Sequence, residues 1–178
     1  MVSVERTKLK NVLVFKHFAF EDHRGTYEEL YNKKVYTDVI RQETGFELEF
    51  LEDNVAKSSK YVLRGFHGDD RTWKLVTCLK GKFYIVVLNY DSDSDQFGQW
   101  QSFVPSAENK MQVLIPPKHG HAYVVMSEDA IFHYKQSCVY QGMARQFTVR
   151  YNDPRFNVWW PVKNPIVSMR DERGSVDE

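Results

Sequence analysis

Short runs of alternating apolar and polar residues recur along most of the chain, and this period of two predicts β-strands. The runs are separated by short polar segments, among them the turn Lys80-Gly81 and the loop at residues 91–98. The predicted strands cover residues 11–20, 27–31, 46–56, 61–67, 73–79, 82–90, 101–104, 111–115, 121–126, 130–138 and 147–151. Because helices do not alternate with these strands, we expect an antiparallel sandwich or barrel and not a parallel α/β sheet.

One segment, residues 33–44, has the spacing of a helix instead. Its apolar side chains fall on one helical face: Val35, Tyr36, Val39 and Ile40. The glycine that follows, Gly45, is placed to end the helix. After Pro165 the chain is polar and charged, which predicts a short C-terminal tail. The length of 178 residues fits one domain that spans residues 1–178.

The charges balance, since the chain has 24 Lys and Arg residues and 24 Asp and Glu residues. We therefore expect no long-range field that would attract nucleic acid or an anionic membrane. Cys78 and Cys138 lie in apolar stretches, as buried thiols of a reducing compartment do. The first ten residues lack the apolar core of a signal peptide, and no apolar run approaches the roughly 20 residues that span a bilayer. These features predict a soluble protein of the cytoplasm.

Residues 62–76, with the sequence VLRGFHGDDRTWKLV, carry the candidate chemistry. They read as a strand, a tight loop and a second strand, so that His67 and Lys74 can point into one concavity. Histidine is a base near neutral pH, and a fixed ammonium stabilises the oxygen of an enolate. This pairing predicts abstraction of a proton next to a carbonyl. Arg64 can share the pocket with His67 only if Gly65 carries a β-bulge, because residues three apart on a regular strand face opposite sides.

Eight motifs then follow one another along the chain. They are DHRGTYEELYN at 22–32, EDNVAKSSKYVLRGFH at 52–67, KLVTCLKG at 74–81, FGQW at 97–100, SAENKMQVLIPP at 106–117, GHAYVVMSE at 120–128, Tyr134-Lys135 and Asn152-Asp153-Pro154. In order and spacing these motifs resemble the dTDP-4-dehydrorhamnose 3,5-epimerase family over nearly the whole chain. The resemblance implies an all-β fold, a cupin-type jelly-roll barrel with one short N-terminal helix and a short C-terminal tail.

The same resemblance implies an isomerase that epimerises a nucleotide-linked 4-keto sugar at C3, C5 or both through an enolate. It implies a homodimer with exchanged N-terminal strands and an active site without a metal or another cofactor. His67 matches the general base of the family, and Asp171 matches the carboxylate that orients it. Lys74 matches the group that stabilises the enolate, and Tyr134 matches the general acid on the other side of the sugar.

Further residues match substrate contacts of the family. Arg64 resembles a residue that contacts the sugar or the diphosphate, and His121 resembles another pocket residue. Arg24 and Glu29 resemble residues that reach the nucleotide from the strand of the partner subunit. The resemblance adds three more substrate-binding positions: Glu52, Asn54 and Tyr140.

Departures from the family pattern bear on the substrate. Glu52 stands where the family usually has Gln, and Tyr84 stands where we expect Asp. The loop between His67 and Lys74 is shorter than in most members. Because these changes are expected to line the pocket, they favour the branch that acts on a GDP-linked 4-keto-6-deoxy-heptose in capsule biosynthesis. The alternative substrate is dTDP-4-keto-6-deoxyglucose, the sugar of the dTDP-rhamnose pathway.

Two other classes of function stay open at this point. A metal-dependent cupin could use His67 with the HxH pair His119 and His121, and a glutamate such as Glu128. The HxH pair, however, follows two prolines and lies outside the usual position of a cupin metal motif. A sugar-binding protein without catalysis is the second class, and it would not need an acid and a base on opposite faces of the sugar.

Overall fold

The computed structural model describes residues 2–174. Most of the regular structure is β-strand, as the sequence predicts. The elements are β1 Val2–Arg6, β2 Leu13–His17, β3 Ala19–Asp22, β4 Gly25–Glu28, α1 Lys33–Thr44, β5 Glu52–Ser59, β6 Leu63–Gly68, β7 Lys74–Lys80, β8 Phe83–Asn89, β9 Trp100–Phe103, β10 Met111–Ile115, β11 His119–Val125, β12 Asp129–Gln136, a 3₁₀ turn Met143–Arg145, β13 Phe147–Thr148 and α2 Met169–Arg173.

Two antiparallel sheets form the barrel. One has six strands in the order β1-β2-β10-β7-β12-β5, and the other has five in the order β13-β6-β11-β8-β9. Sequence neighbours such as β5 and β6 lie in different sheets, as in a jelly roll. The all-β jelly-roll prediction is therefore confirmed. The hairpin of β3 and β4 forms a separate two-stranded sheet whose aromatic side chains are exposed: Phe20 and Tyr27.

Alternation along the strands fills the barrel. On β8, Phe83 and Ile85 point inward and are fully buried, and they pack against Val76 of β7 and Tyr123 of β11. Burying one such side chain stabilises the fold by roughly 1.5–3 kcal/mol, so the inner face supplies much of the driving force for folding. The polar side chains of the candidate site lie at one end of this interior.

Helix α1 has the predicted bounds. The Asn32 side chain caps its first turn by accepting a hydrogen bond from the Val35 N–H, and Gly45 ends it with φ = 81°. Tyr36 and Ile40 are buried against the outer face of the six-stranded sheet. Helix α1 thus covers one side of the barrel and leaves the cavity between the sheets open.

Most strand ends differ from the sequence prediction by a few residues, β4 ends at Glu28 and not at residue 31, and β1 was not predicted. Three other predicted strands are broken or shorter. The predicted strand at 11–20 is broken into β2 and β3 at Phe18, which is exposed. The predicted strand at 46–56 begins only at Glu52, because Leu48 and Phe50 pack on the α1 side of the sheet; just before Glu52, the Leu51 N–H already donates to the Gln136 carbonyl oxygen of β12 at 2.8 Å. The predicted strand at 147–151 ends at Thr148.

Helix α2 was not predicted, since the sequence indicated only a charged tail. The segment before it crosses the outer face of the five-stranded sheet, where Trp160 packs near Phe66. Ile166 then forms a parallel bridge with Val62 beside the start of β6. This path delivers α2 to the open edge of the barrel. No helix within residues 2–174 has the length and apolar character needed to cross a membrane.

Candidate active site

A cavity of about 460 Å³ opens between the two sheets. It is lined by side chains from β5, β6, β7, β11, β12 and α2 and from the segment after β12: Ala56, Arg64, His67, Lys74, His121, Tyr123, Phe132, Tyr134, Tyr140, Met143, Gln146, Ser168, Arg170 and Asp171. Seven of the side chains that the sequence singled out meet in this one cavity: Arg64, His67, Lys74, His121, Tyr134, Tyr140 and Asp171.

A bulge in β6 brings two of these side chains to the same side. His67 pairs with His121 on β11, whereas Arg64 pairs with Tyr123, so that three steps on β6 span two steps on β11. Gly65 lies inside the bulge with φ = 108°, and a Cβ atom there would collide with the carbonyl oxygen of His121. The bulge predicted at Gly65 is confirmed. Without it, Arg64 would face away from the cavity.

His67 and Asp171 form the central pair of the cavity. The Nε2 atom of His67 lies 2.6 Å from Oδ1 of Asp171, whose side chain is almost fully buried. Burial opposes ionisation of this carboxyl, but hydrogen bonds from His67, Ser168 and the backbone of Gly65 outweigh it, and the pKa of Asp171 lies below its usual value. Asp171 is therefore a carboxylate that accepts the Nε2–H of His67. This leaves Nδ1 as the basic atom of the imidazole ring.

The short helix α2 fixes the position of the Asp171 carboxylate. Ser168 is its N-cap residue, and its hydroxyl oxygen accepts the backbone N–H of Asp171 at 3.2 Å. The helix ends at Gly174. The carboxylate thus sits in the first turn, where the backbone N–H groups of a helix favour negative charge.

Lys74 begins β7 and points into the cavity with only 3% of its surface exposed. Burial lowers the pKa of its ammonium group to about 8, and Asp69 and Arg170 make smaller, opposed contributions. Within residues 2–174 no carboxylate forms an ion pair with Lys74. The ammonium is thus dehydrated and unpaired, which suits it to meet negative charge that develops on a ligand.

His121 lies beside these groups as a neutral imidazole. Burial lowers the pKa of its ring well below the usual value, and the nearby Lys74 and His67 lower it further. The ring therefore acts as a hydrogen-bonding group and not as a second cation in the cavity.

Tyr134 approaches the cavity from β12, in the sheet opposite His67. Burial raises the pKa of its phenol, and Glu52, Tyr140 and Tyr123 raise it further, so the hydroxyl stays protonated well above neutral pH. An acid and a base thus approach the cavity from different sheets. That arrangement permits proton removal on one face of a ligand and proton return on the other.

Half of the fourteen lining residues were not among the predicted site residues, and three of these, Tyr123, Phe132 and Arg170, shape the cavity or add charge to it. Tyr123 and Phe132 form an aromatic wall, with ring centroids 4.2 Å apart and an interplanar angle of 7°. Tyr123 is two residues from His121 on one strand, so a period of two could have placed it in the cavity. Arg170 lines the cavity next to Asp171, and nothing in its sequence context marks it.

Arg64 and Arg170 supply positive charge to the cavity. The Arg64 Nε–H donates to Ser58 Oγ at 3.1 Å. The Arg170 Nε–H donates to Thr148 Oγ1 at 2.9 Å, and its Nη2 donates to Gln146 Oε1 at 3.3 Å. The two guanidinium groups are held in place by neutral oxygens, and no carboxylate within residues 2–174 forms an ion pair with either of them. Such groups bind phosphate oxygens well.

Two predicted contacts, Glu52 and Asn54, lie outside the cavity lining. They share the inward face of β5 with Ala56, but the Asn54 amide donates to Glu52 Oε1 at 2.6 Å. The other oxygen of Glu52 accepts the backbone N–H of Tyr140 at 2.8 Å. The expectation that they line the pocket is corrected: both side chains are engaged within the protein.

Arg24 and Glu29 also lie away from the cavity of their own chain. Arg24 is on the exposed hairpin of β3 and β4, where its guanidinium pairs with Asp22 at 2.6 Å. Glu29 follows that hairpin and accepts a hydrogen bond from Asn32. Within a single chain, these two residues cannot contribute to the site described above.

Tyr84 does not line the cavity either. It faces outward from β8, its ring packs edge-on against Trp159, and its hydroxyl donates to the Trp159 carbonyl oxygen at 3.3 Å. The expectation that Tyr84 shapes the pocket is therefore wrong, because β8 turns that side chain away from the interior. Its identity carries no information about the substrate.

The three-histidine metal site does not form among the described residues. The Nδ1–H of His119 donates to the Pro117 carbonyl oxygen at 2.9 Å, and this histidine lines a different cavity from His67 and His121. Glu128 pairs with Lys60 at the surface. Within residues 2–174 no three His, Cys, Asp or Glu side chains are grouped so that they could hold a metal ion.

Comparisons with known proteins agree with this geometry. A family model described as dTDP-4-dehydrorhamnose 3,5-epimerase matches residues 6–176. The dTDP-4-dehydrorhamnose 3,5-epimerase of Shigella flexneri is 36% identical over 176 residues, which cover 97% of this chain and 94% of that protein.

Solved structures give the same family. The dTDP-6-deoxy-D-glucose-3,5-epimerase of Legionella pneumophila, in complex with dTDP-4-keto-L-rhamnose, superposes with a TM-score of 0.89 at 30% identity and covers 96% of this chain and 90% of that one. A 3'-monoepimerase of Streptomyces bikiniensis, in complex with dTDP-quinovose, has a TM-score of 0.86 at 27% identity and covers 94% of this chain and 84% of that one. The chain therefore belongs to the dTDP-4-dehydrorhamnose 3,5-epimerase family, whose members are isomerases that act on sugar nucleotides.

Proposed function

We propose that this protein epimerises dTDP-4-keto-6-deoxyglucose at C3 and C5. The observation that carries the proposal is the His67–Asp171 pair beside the buried Lys74 ammonium in a cavity of about 460 Å³. Its relatives are named for thymidine-linked sugars, which supports the nucleotide. The substrate has a 4-keto group, so the protons at C3 and C5 are both adjacent to a carbonyl.

In the proposed first step, Nδ1 of His67 removes the proton from C3 or C5. The electron pair of the broken C–H bond moves toward the carbonyl carbon, and the carbonyl oxygen becomes an enolate oxygen. Lys74 stabilises that oxygen, because its ammonium is already dehydrated. Asp171 stabilises the imidazolium that His67 becomes.

In the second step, the Tyr134 hydroxyl returns a proton to the opposite face of the same carbon. The electron pair returns from the enolate to form the new C–H bond and restore the carbonyl. The phenolate left on Tyr134 and the imidazolium on His67 are reset by proton exchange with water. The raised pKa of Tyr134 supports this role, because the phenol is protonated at the start of each cycle.

Arg64 and Arg170 are the proposed contacts of the diphosphate, and Tyr140 is the proposed contact of the nucleoside at the cavity mouth. We also propose a homodimer in which the β3–β4 hairpin crosses to the partner, so that Arg24 and Glu29 reach the nucleotide in the other subunit's cavity. The exposed Tyr27 supports an exchange of this hairpin. One domain over residues 1–178 and location in the cytoplasm stay predictions of the sequence.

The guanosine-linked heptose is the weaker alternative. One of its sequence arguments, Tyr84, concerns a side chain outside the cavity, and another, Glu52, concerns a side chain that is engaged within the protein. The relatives are named for thymidine-linked hexoses, which favours that substrate instead.

Proton NMR in deuterium oxide tests the proposal directly. The protein is incubated with dTDP-4-keto-6-deoxyglucose or with a GDP-linked 4-keto-6-deoxy-heptose, and the loss of the C3 and C5 proton signals is followed. We expect exchange at both carbons of the hexose and none with the matched control His67→Asn. Exchange at C3 alone would make the protein a 3-epimerase, as in the Streptomyces bikiniensis relative. Faster exchange of the heptose would overturn the proposed substrate.

A further inference from the structure

A strap formed by residues 138–146 runs across the mouth of the cavity. Its side chains Tyr140, Met143 and Gln146 line the cavity on one side. On its other side lies a second cleft of about 180 Å³, bounded by the strap and by residues 69–72. Because space lies on both sides of the strap, close packing does not fix how far it leans over the cavity.

Burial of apolar side chains does not hold the strap either. Val139, Tyr140 and Met143 have exposed fractions of 60%, 47% and 64%. The backbone hydrogen bonds of Arg145 and Gln146 go to Gly142 and Met143, within the strap itself. The strap must therefore take its position from side-chain contacts with the rest of the barrel.

Three hydrogen bonds supply those contacts along the middle and end of the strap. Arg71 Nη2 donates to Gln141 Oε1 at 3.2 Å, and Arg170 Nη2 donates to Gln146 Oε1 at 3.3 Å. The third bond joins the Tyr140 N–H to Glu52 Oε2 at 2.8 Å. It is the shortest of the three, and it is the one that acts on the backbone of a residue lining the cavity.

The Glu52 carboxylate is itself held rigidly. Its other oxygen, Oε1, accepts hydrogen bonds from Asn54 Nδ2 at 2.6 Å and Gln136 Nε2 at 3.2 Å. These bonds, Asn54 first, together with the Tyr140 N–H lower the pKa of the carboxyl, so the group is ionised at neutral pH. A charged acceptor makes a stronger hydrogen bond to an N–H group than a neutral one does.

We propose that Glu52 is a positioning residue that clasps Tyr140 over the cavity mouth and thereby sets the affinity for the nucleotide sugar. The effect on affinity rests on the proposed function, whereas the clasp itself does not. Glu52 touches no reacting atom and is not a ligand of the diphosphate, because a carboxylate would repel phosphate oxygens. Its contribution is to fix the position of the strap relative to the cavity.

Hydrogen–deuterium exchange followed by mass spectrometry tests the clasp without any substrate. In Glu52→Ala, we expect peptides that cover the strap to exchange about tenfold faster, which corresponds to the loss of one hydrogen bond to a charged group. Glu52→Gln keeps one neutral oxygen that can accept the Tyr140 N–H, so its exchange rate should lie between those of the wild type and Glu52→Ala. Asp53→Ala removes the neighbouring acid, which bonds His133 and Lys135 instead, and should leave the strap unchanged.

Steady-state kinetics with dTDP-4-keto-6-deoxyglucose test the consequence. Glu52→Ala should raise KM about tenfold and change kcat little, and Glu52→Gln should raise KM by less than Glu52→Ala does. Unchanged strap exchange in Glu52→Ala would overturn the clasp, as would an equal effect of Asp53→Ala. A loss of kcat at constant KM would show that Glu52 acts on the chemistry and would overturn its positioning role. If the wild-type protein turns over neither sugar, the proposed function fails, and the exchange rates still decide the clasp.

Discussion

His67 Nε2 lies 2.6 Å from Asp171 Oδ1, although 104 positions separate the two residues in the chain. A carboxylate in this position sets the tautomer of the imidazole and stabilises its protonated form. We expect Asp171→Asn to lower kcat by about 100-fold to 10,000-fold, because an amide cannot stabilise the imidazolium. Glu172→Gln, an exposed change on the same helix, is the matched control. A kcat for Asp171→Asn within a few-fold of wild type would show that the pair does not act in catalysis.

Tyr134→Phe separates the two proton transfers. If the Tyr134 hydroxyl returns the proton, its removal should leave deuterium exchange at the substrate carbon largely intact while inversion at that carbon falls. NMR in deuterium oxide reports exchange, and chromatography of the product sugar reports inversion. Loss of both to the same extent would mean that Tyr134 is needed before or during proton removal. The matched control is Tyr151→Phe, which lies against the outer face of the five-stranded sheet.

The dependence of activity on pH should report the ionisation of Lys74. Its ammonium has a pKa of about 8, lowered by burial, and only the charged form stabilises an enolate oxygen. We therefore expect kcat/KM to fall as the pH rises through about 8. Lys74→Arg, which keeps its charge, should abolish this descending limb even if its overall rate is lower. A limb at the same pH in Lys74→Arg would assign it to another group.

The buried charge of Lys74 should also lower the free energy of unfolding of the protein. In the folded protein its pKa is about 8, whereas its ordinary value is 10.5, so between these pH values the unfolded chain binds more protons. The free energy of unfolding should therefore rise with pH across that window, and the full cost applies below pH 8. At pH 7, Lys74→Met should increase the free energy of unfolding by roughly 1–3 kcal/mol while abolishing activity. Urea denaturation of both proteins measures this difference. A destabilised variant would mean that the ammonium is better solvated than its burial implies.

Arg64 should contribute mainly to substrate affinity. Arg64→Met removes a charge from the cavity while keeping an apolar side chain on the β6 bulge, so we expect KM to rise about tenfold to 100-fold with a smaller change in kcat. Calorimetric titration with thymidine diphosphate should show the same loss of affinity. Lys57→Met, an exposed change on the outer face of β5, is the control for net charge. Equal affinities in the two variants would exclude Arg64 as a diphosphate contact.

The sequence predicted the helices and strands whose apolar residues recur on the one face that is buried. Helix α1 combines an apolar face with an N-cap at Asn32 and a left-handed Gly45, and local signals of this kind are enough to set both ends. The segment at 46–51 was predicted as a strand because its apolar residues alternate with glutamates. Leu48 and Phe50 instead pack on the α1 side of the sheet, and regular strand pairing with β12 begins only at Glu52. Helix α2 has only five residues, too few for its apolar residues to show the periodic spacing of a helix.

The sequence predicted the parts of the candidate site that depend on the backbone conformation of a motif. It did not predict the parts that depend on which group a side chain contacts in the folded protein. The bulge at Gly65 follows from the need to bring Arg64 and His67 to one side, and the sequence contains the glycine that permits it. Glu52 is different. Its position on β5 predicts an inward-facing side chain, but it does not tell whether that side chain contacts a ligand or, as observed, the Tyr140 backbone. Arg170 entered the cavity only because the chain folds back after Ile166, a long-range contact that no local pattern encodes.

The docking of α2 makes turnover a sensitive probe of partial unfolding. The helix has five residues and is tethered to the barrel by the bonds of Ile166 with Tyr61 and Leu63 and by the contacts of its own side chains. Such a segment detaches at lower denaturant concentrations than the strands of the barrel, because it buries less surface. Detachment removes the carboxylate from His67 while both sheets, and their circular dichroism, are retained. Enzymatic activity would then disappear while the spectroscopic signal of the barrel is still native.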